Sequence, residues 1–298
     1  MSAIIKIGTR GSKLALWQAN FAKQALSEIG VESELHIIKT KGDKIQDLSF
    51  DKIEGKGFFT KEIEAALLSK EVDLAVHSMK DLPTEKVEGL VVAAVSARAN
   101  PADWLVIKKS SYREGSTLSL PKGAKVGTSS ARRKAMLLDL CPSATTHDLR
   151  GNVPTRLSKL RDGALDAILL AAAGLIRLEL DLSDFEVVKL HPKEFIPAPA
   201  QGVVAYQVRE GDIELRRALK KIHHPEVAEC TNVERKVLNL MEGGCHMPLG
   251  VFCEKDEMGN FHAIAGYAPT SDKPIIRKRL SYSTNFQLAN DLFKHLQS

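Results

Sequence analysis

The feature that most constrains the fold of this chain is a pattern that occurs twice. Ile5-Lys6-Ile7-Gly8-Thr9-Arg10-Gly11-Ser12 precedes an amphipathic helical pattern from Leu14 to Ile29. Lys125-Val126-Gly127-Thr128-Ser129-Ser130 precedes another, from Ala131 to Leu140. Each reads as strand, Gly-Thr, small polar turn, helix, with hydroxyls placed to cap the helix. A second pair follows in the same order. The helical pattern from Thr60 to Leu68 leads into an apolar strand ending at His77, and the pattern from Thr155 to Leu160 leads through Gly163 into a strand from Ala167 to Ala171. Strands alternating with helices predict α/β sheets. Two matches in one order predict two related lobes whose helix N-termini face a shared cleft.

Breaker-rich stretches divide the chain. They lie near Ala97-Arg98-Ala99-Asn100-Pro101 and Ile196-Pro197-Ala198-Pro199-Ala200. The first lobe is expected over residues 1–98, with 200–218 returning to it through a strand from Val203 to Val208. The second lobe is expected over 101–197, and a small α+β domain over 222–298. The Lys-, Asp- and Gly-rich stretch at 41–57 reads as either a lid or a solvated connector.

The 298 residues provide ample core, and a charged fraction of 27% is ordinary for a globular protein. Aromatic residues make up only 5%, which argues against a base-stacking surface for nucleic acid. A net charge of +5 fits an anionic ligand. No apolar run reaches transmembrane length, and the N-terminus has no signal pattern. The four cysteines, Cys141, Cys230, Cys245 and Cys253, lack zinc-ligand spacing. They are expected to be reduced thiols in a cytoplasmic protein with no metal site.

Three groups of residues could carry chemistry. Asp81 follows the strand in Val72-Asp73-Leu74-Ala75-Val76-His77-Ser78-Met79-Lys80-Asp81. In open α/β sheets, ligands sit beyond the carboxyl ends of the strands. Asp81 is therefore either a counter-ion or a stabiliser of a cation formed in a reaction. Arginines form the second group: Arg132, Arg133, Arg150, Arg156 and Arg177, with Arg10, Ser12, Lys52, Lys56 and Lys80 from the first lobe. Each alone could be a solvated surface charge. Together, beside turns and helix starts, they point to a ligand with several anionic groups. The third is Cys245, which follows Gly243-Gly244 and precedes Pro248. It is either a small buried hydrophobe or a reachable thiol for covalent attachment. His77 lies within a strand, where a packed core histidine is expected.

These residues together resemble the porphobilinogen deaminase, or hydroxymethylbilane synthase, family. The resemblance rests on Thr9-Arg10, Leu16-Trp17-Gln18, Gly55-Lys56-Gly57 with Phe59, His77-Ser78-Met79-Lys80-Asp81, Gly127-Thr128-Ser129-Ser130 with Arg132-Arg133, and Leu149-Arg150-Gly151-Asn152-Val153 with Thr155-Arg156. It extends to Ala173-Gly174-Leu175, Gln201-Gly202 and Glu242-Gly243-Gly244-Cys245. It implies a three-domain fold with two lobes like those of type II periplasmic binding proteins. It also implies a dipyrromethane cofactor joined to Cys245 by a thioether. Four porphobilinogens would be added head to tail, each losing ammonia through an electron-poor azafulvene, and hydrolysis would free the linear tetrapyrrole. Acetate and propionate groups on every pyrrole would account for the arginines.

The resemblance assigns Asp81 to stabilising positive charge. It assigns Arg10, Ser12, Gln18, Arg150, Arg156, Arg177 and Gln201 to substrate. Ser78, Lys80, Thr128, Ser130, Arg132, Arg133 and again Arg150 go to the cofactor, and Lys52, Lys56 and Phe59 to the lid. It implies a monomer without nucleic-acid or membrane partners. Lys41, Ala131, Tyr206-Gln207 and His246-Met247 depart from the family's usual residues. The rival reading is a two-lobed anion receptor without catalysis, which gives Cys245 no role.

Overall fold

The computed structural model describes residues 4–40, 60–242, 247–270 and 273–298. The lid stretch, with Lys52, Lys56 and Phe59, and the cysteine loop with Cys245 lie outside the described residues.

The chain forms two compact units. Among the described residues, the first unit comprises 4–40, 60–99 and 202–229, and the second comprises 100–201 and the chain from 230 onward. In the first unit, β1 (Ile5–Thr9), β2 (Ser33–Ile37), β3 (Leu74–Ser78), β4 (Leu90–Val95) and β10 (Val204–Arg209) make a five-stranded sheet in the order β2-β1-β3-β10-β4. The first three strands are parallel, and β10 runs antiparallel to both its neighbours. The expected return strand therefore sits inside this sheet.

In the second unit, β5 (Asp103–Lys108), β6 (Lys125–Gly127), β7 (Thr145–His147), β8 (Ala167–Ala171) and β9 (Phe185–Lys189) are ordered β7-β6-β8-β5-β9. Strands β6, β7 and β8 are parallel, and β5 is antiparallel to its two neighbours. The order and directions repeat those of the first sheet, which agrees with the two related α/β lobes expected from the sequence repeats. The central β3 and β8 read Leu-Ala-Val-His-Ser and Ala-Ile-Leu-Leu-Ala, each buried over its first four residues. Such near-continuous apolar runs belong to strands covered on both faces.

Helices α1 (Lys13–Glu28) and α2 (Lys61–Leu68) belong to the first sheet. Helices α3 (Ala131–Leu140), α4 (Val153–Asp162) and the short α5 (Ala172–Arg177) belong to the second. After α6 (Ile213–Lys220), α7 (Pro225–Leu240) leads to an antiparallel sheet of β11 (Leu249–Lys255), β12 (Phe261–Tyr267) and β13 (Ile276–Tyr282), followed by α8 (Leu288–Gln297). This C-terminal layer shares a compact unit with the second sheet. Gly250 lets the two meet: a Cβ there would lie 2.5 Å from the carbonyl oxygen of Ile196. Arg277 also pairs with Asp139 of α3 at 2.6 Å. The described cysteines, Cys141, Cys230 and Cys253, are buried free thiols.

Candidate functional site

The carboxyl ends of β1 and β3 define one cavity in the first unit. It is lined by Arg10, Ser12, Gln18, His77, Ser78 and Asp81, among others. Ser12 is the N-cap of α1, its hydroxyl accepting from the Ala15 amide at 3.3 Å. Gln18, buried on that helix, donates through Nε2 to Ser78 Oγ at 2.8 Å and fixes α1 against the end of β3. The strand then enters a tight turn, Met79–Asp81. Met79 is buried, Lys80 half-buried and Asp81 exposed. A buried Met between polar neighbours anchors the turn, so Asp81 faces the cavity rather than the core. Burial holds the imidazole of His77 neutral, with a pKa lowered to about 4; the Gln207 hydrogen bond opposes the shift and the nearby Arg10 guanidinium adds to it. The expectation of a packed histidine holds, yet the same ring also lines the cavity.

The second unit repeats the geometry with different side chains. Thr128 follows β6, and Ser130 caps α3 by accepting from the Arg133 amide at 3.4 Å. Ser129, not singled out in the sequence, accepts from the Leu149 amide at 3.0 Å and donates to its carbonyl at 3.1 Å. This two-way bond holds the loop that presents Arg150. Gly151 has φ +109°, and a Cβ there would fall 2.7 Å from Thr155, so the turn between Arg150 and α4 requires glycine. Asn152 caps α4 at the Thr155 amide, and Arg156 donates from Nε to the Gly151 carbonyl at 2.8 Å. Arg150, Arg156 and Arg177 are all half-buried. This donor set is cationic and hydroxylic, which matches a ligand bearing several carboxylates.

Arg132 and Arg133 are placed differently from the other arginines. Both are buried around Asp103 of β5. Arg132 Nη1 donates to Asp103 Oδ2 at 2.7 Å and to the Ile196 carbonyl at 2.9 Å. Arg133 donates to Asp103 Oδ1 from Nε at 3.0 Å and from Nη2 at 2.7 Å, and from Nη1 to the Leu169 carbonyl. Gln201 Nε2 joins the cluster at 3.1 Å from Asp103 Oδ1 and 2.8 Å from the Pro101 carbonyl. Burial alone would raise the Asp103 carboxyl, but the two guanidiniums outweigh it and hold the group well below the usual carboxylate range. The cluster thus knits together the two chain segments that border the first unit in sequence.

Sequence reasoning passed over Asp103. Its available signal was an acid between Ala102 and the apolar run Trp104-Leu105-Val106-Ile107. It also passed over Glu234, a fully buried carboxylate of α7 that accepts from the Ala200 amide at 2.6 Å and the Cys253 amide at 2.8 Å.

Known proteins resemble this chain over most of its length. Residues 5–217 match the family described as porphobilinogen deaminase, dipyromethane cofactor binding domain. The porphobilinogen deaminase of Chloroherpeton thalassium is 43% identical over 94% of this chain and 88% of its own. A probable porphobilinogen deaminase from Methanocella arvoryzae is 47% identical over 84% of this chain and 80% of its own. Among solved structures, a periplasmic substrate-binding protein of an ABC transporter from Coxiella burnetii aligns over 76% of this chain and 94% of its own, at 16% identity and a TM-score of 0.44.

Proposed function

The chain belongs to the porphobilinogen deaminase family, and on that premise we propose how its residues divide the work. It is an enzyme of tetrapyrrole synthesis that acts on porphobilinogen and uses a dipyrromethane cofactor. As a transferase, a hydroxymethylbilane synthase, it joins four porphobilinogens head to tail with loss of four ammonias, and hydrolysis releases the chain. When bound, the cofactor supplies the pyrrole α-carbon at which chain growth begins. The binding-only alternative is not favoured, because the relatives are named for a catalysed deamination.

The observation that carries the assignment is Asp81, exposed at the end of β3 and lining one cavity with Arg10. Arg10 binds an acetate or propionate of porphobilinogen, with Ser12 and Gln18 beside it. Asp81 accepts hydrogen bonds from pyrrole N–H groups. As the aminomethyl C–N bond breaks and ammonia leaves, its negative charge stabilises the cation that develops on the ring. In the second unit, Arg150, Arg156 and Arg177 offer guanidiniums to substrate carboxylates, and Thr128, Ser130 and Arg150 offer donors to those of the cofactor; in the first unit, Ser78 and Lys80 offer donors of the same kind. Arg132, Arg133 and Gln201 support this set from behind by fixing β5 and α3. The thioether is assigned to Cys245 on the family resemblance alone, and Lys52, Lys56 and Phe59 keep only the lid role that the resemblance implies.

Intact-mass spectrometry of the purified full chain tests this reading. The mass is expected to exceed the sequence mass by two linked pyrrole units, and Cys245→Ala is expected to lack the increment and all turnover. Active enzyme of unmodified mass, or an adduct that persists without Cys245, overturns the assignment.

A further inference from the structure

From the wall of the cavity of the first unit runs a chain of buried polar side chains that the reaction as described does not use. Thr60 Oγ1 donates to Glu64 Oε2 at 3.2 Å. Gln207 Nε2 donates to Glu64 Oε1 at 3.1 Å, and Gln207 Oε1 lies 3.0 Å from His77 Nε2. All four residues are buried. Strand register brings the central pair together: Gln207 is opposite Ala75 and Ala205 is opposite His77, so Gln207 and His77 are diagonal neighbours on one face of the sheet.

The direction of each hydrogen bond follows from chemistry. A carboxylate can only accept, so the Gln207 amide turns its NH2 group to Glu64. Its carbonyl then faces His77. A carbonyl also only accepts, so His77 Nε2 must carry the proton. Rotating the amide would set its carbonyl against the carboxylate and leave two acceptors in contact, in a place where an unsatisfied polar atom is costly. Because His77 is buried and neutral, a proton on Nε2 leaves Nδ1 with a free lone pair. His77 is among the residues that line the cavity with Arg10, Gln18, Ser78 and Asp81.

We propose that Gln207 is a positioning residue: oriented by Glu64, it fixes His77 as the neutral Nε2–H tautomer and makes Nδ1 an acceptor for an N–H donor of the substrate. This rests on the reading of the cavity as a porphobilinogen site. A pyrrole N–H or an aminomethyl group supplies such a donor. Arg10 and Asp81 already provide one charge of each sign, and a neutral imidazole adds an acceptor without changing that balance.

Long-range 1H–15N correlation spectra of the full chain carrying 15N-histidine test the proposal, with the His77 signals assigned by their loss in His77→Asn. The unaltered protein is expected to show His77 protonated at ε2 and bare at δ1 near neutral pH. Gln207→Leu is expected to populate both tautomers. It is also expected to lose about threefold to tenfold in kcat/KM, the worth of one hydrogen bond, with the loss falling on KM. A proton on Nδ1 in the unaltered protein, or an unchanged ε2 proton in Gln207→Leu, overturns the proposal. The spectrum needs no turnover, so it stands apart from the assigned activity. An ε2 tautomer in a chain without the pyrrole adduct would defeat the function and spare the tautomer; the adduct with a δ1 tautomer would do the reverse.

Discussion

The two five-stranded sheets share one topology, yet their carboxyl ends carry opposite chemistry. In the first, β3 ends in Ser78-Met79-Lys80-Asp81 and delivers an exposed carboxylate to a cavity. In the second, β8 ends in Ala171-Ala172-Ala173-Gly174 with no charged side chain of its own, and the residue opposite Ala171 is Asp103, which pairs with Arg132 and Arg133. The second unit does have a central acid, Asp103, but it is buried between two arginines. One topology thus holds two aspartates in different settings, Asp81 exposed at a cavity and Asp103 buried within the scaffold. The difference lies in what surrounds each carboxylate rather than in where the backbone goes.

This contrast predicts that the two aspartates fail in different ways. Asp103→Ala leaves two guanidiniums buried without their partner, and breaking a buried pair costs about 3–5 kcal/mol. Urea unfolding should show that loss. A variant with an unchanged midpoint would show that Asp103 is not structural. Asp81→Ala should instead leave the unfolding curve in place and lower kcat by about 10² to 10³-fold, the scale of one lost electrostatic contact in a transition state. Near-normal turnover would remove Asp81 from the chemistry.

Acid separates the two units again. His77 has its pKa depressed in the folded chain, from 6.5 to about 4. The unfolded chain therefore binds the proton first as pH falls, and native stability declines across that interval by roughly 3 kcal/mol. His77→Asn should flatten this slope. Asp103 is also depressed, from 3.8, so its contribution is present above that value and is lost only in stronger acid. A stability profile that is level between pH 6.5 and 4 in the unaltered protein would contradict a buried neutral His77.

The smallest test uses the paired caps. Ser12 and Ser130 occupy equivalent positions before α1 and α3. Changing either to Ala should cost about 1 kcal/mol of stability. A rise in KM for Ser12→Ala beyond that for Ser130→Ala would mark Ser12 as a substrate contact as well as a cap.

Much of this was legible in the residues. Period, breakers and cap hydroxyls located the strands and helices, and the two repeats in one order anticipated two related α/β lobes, while their common strand order appears only in the structure. The strand end at Asp81 was legible for the same reason: an apolar run that stops in Ser, Lys and Asp leaves those groups at a boundary. The partition of the arginines was not. Arg132-Arg133 and Arg150 look alike in sequence, since each lies within a few residues of a turn at a helix start. Only the buried Asp103, 29 positions before Arg132, distinguishes them. The Gln207–His77 contact spans 130 residues and arises from antiparallel register.

The sequence by itself determined the elements, their repeated order and the family, because periodicity, turn chemistry and long motifs are local properties of the chain. Tertiary structure alone decided which arginines are buried against a carboxylate and which stay half-buried. It also decided that Gln207 meets the ring of His77 at Nε2. A charge or a tautomer takes its role from partners within a few ångströms, and those partners are set by sheet pairing across distant parts of the chain.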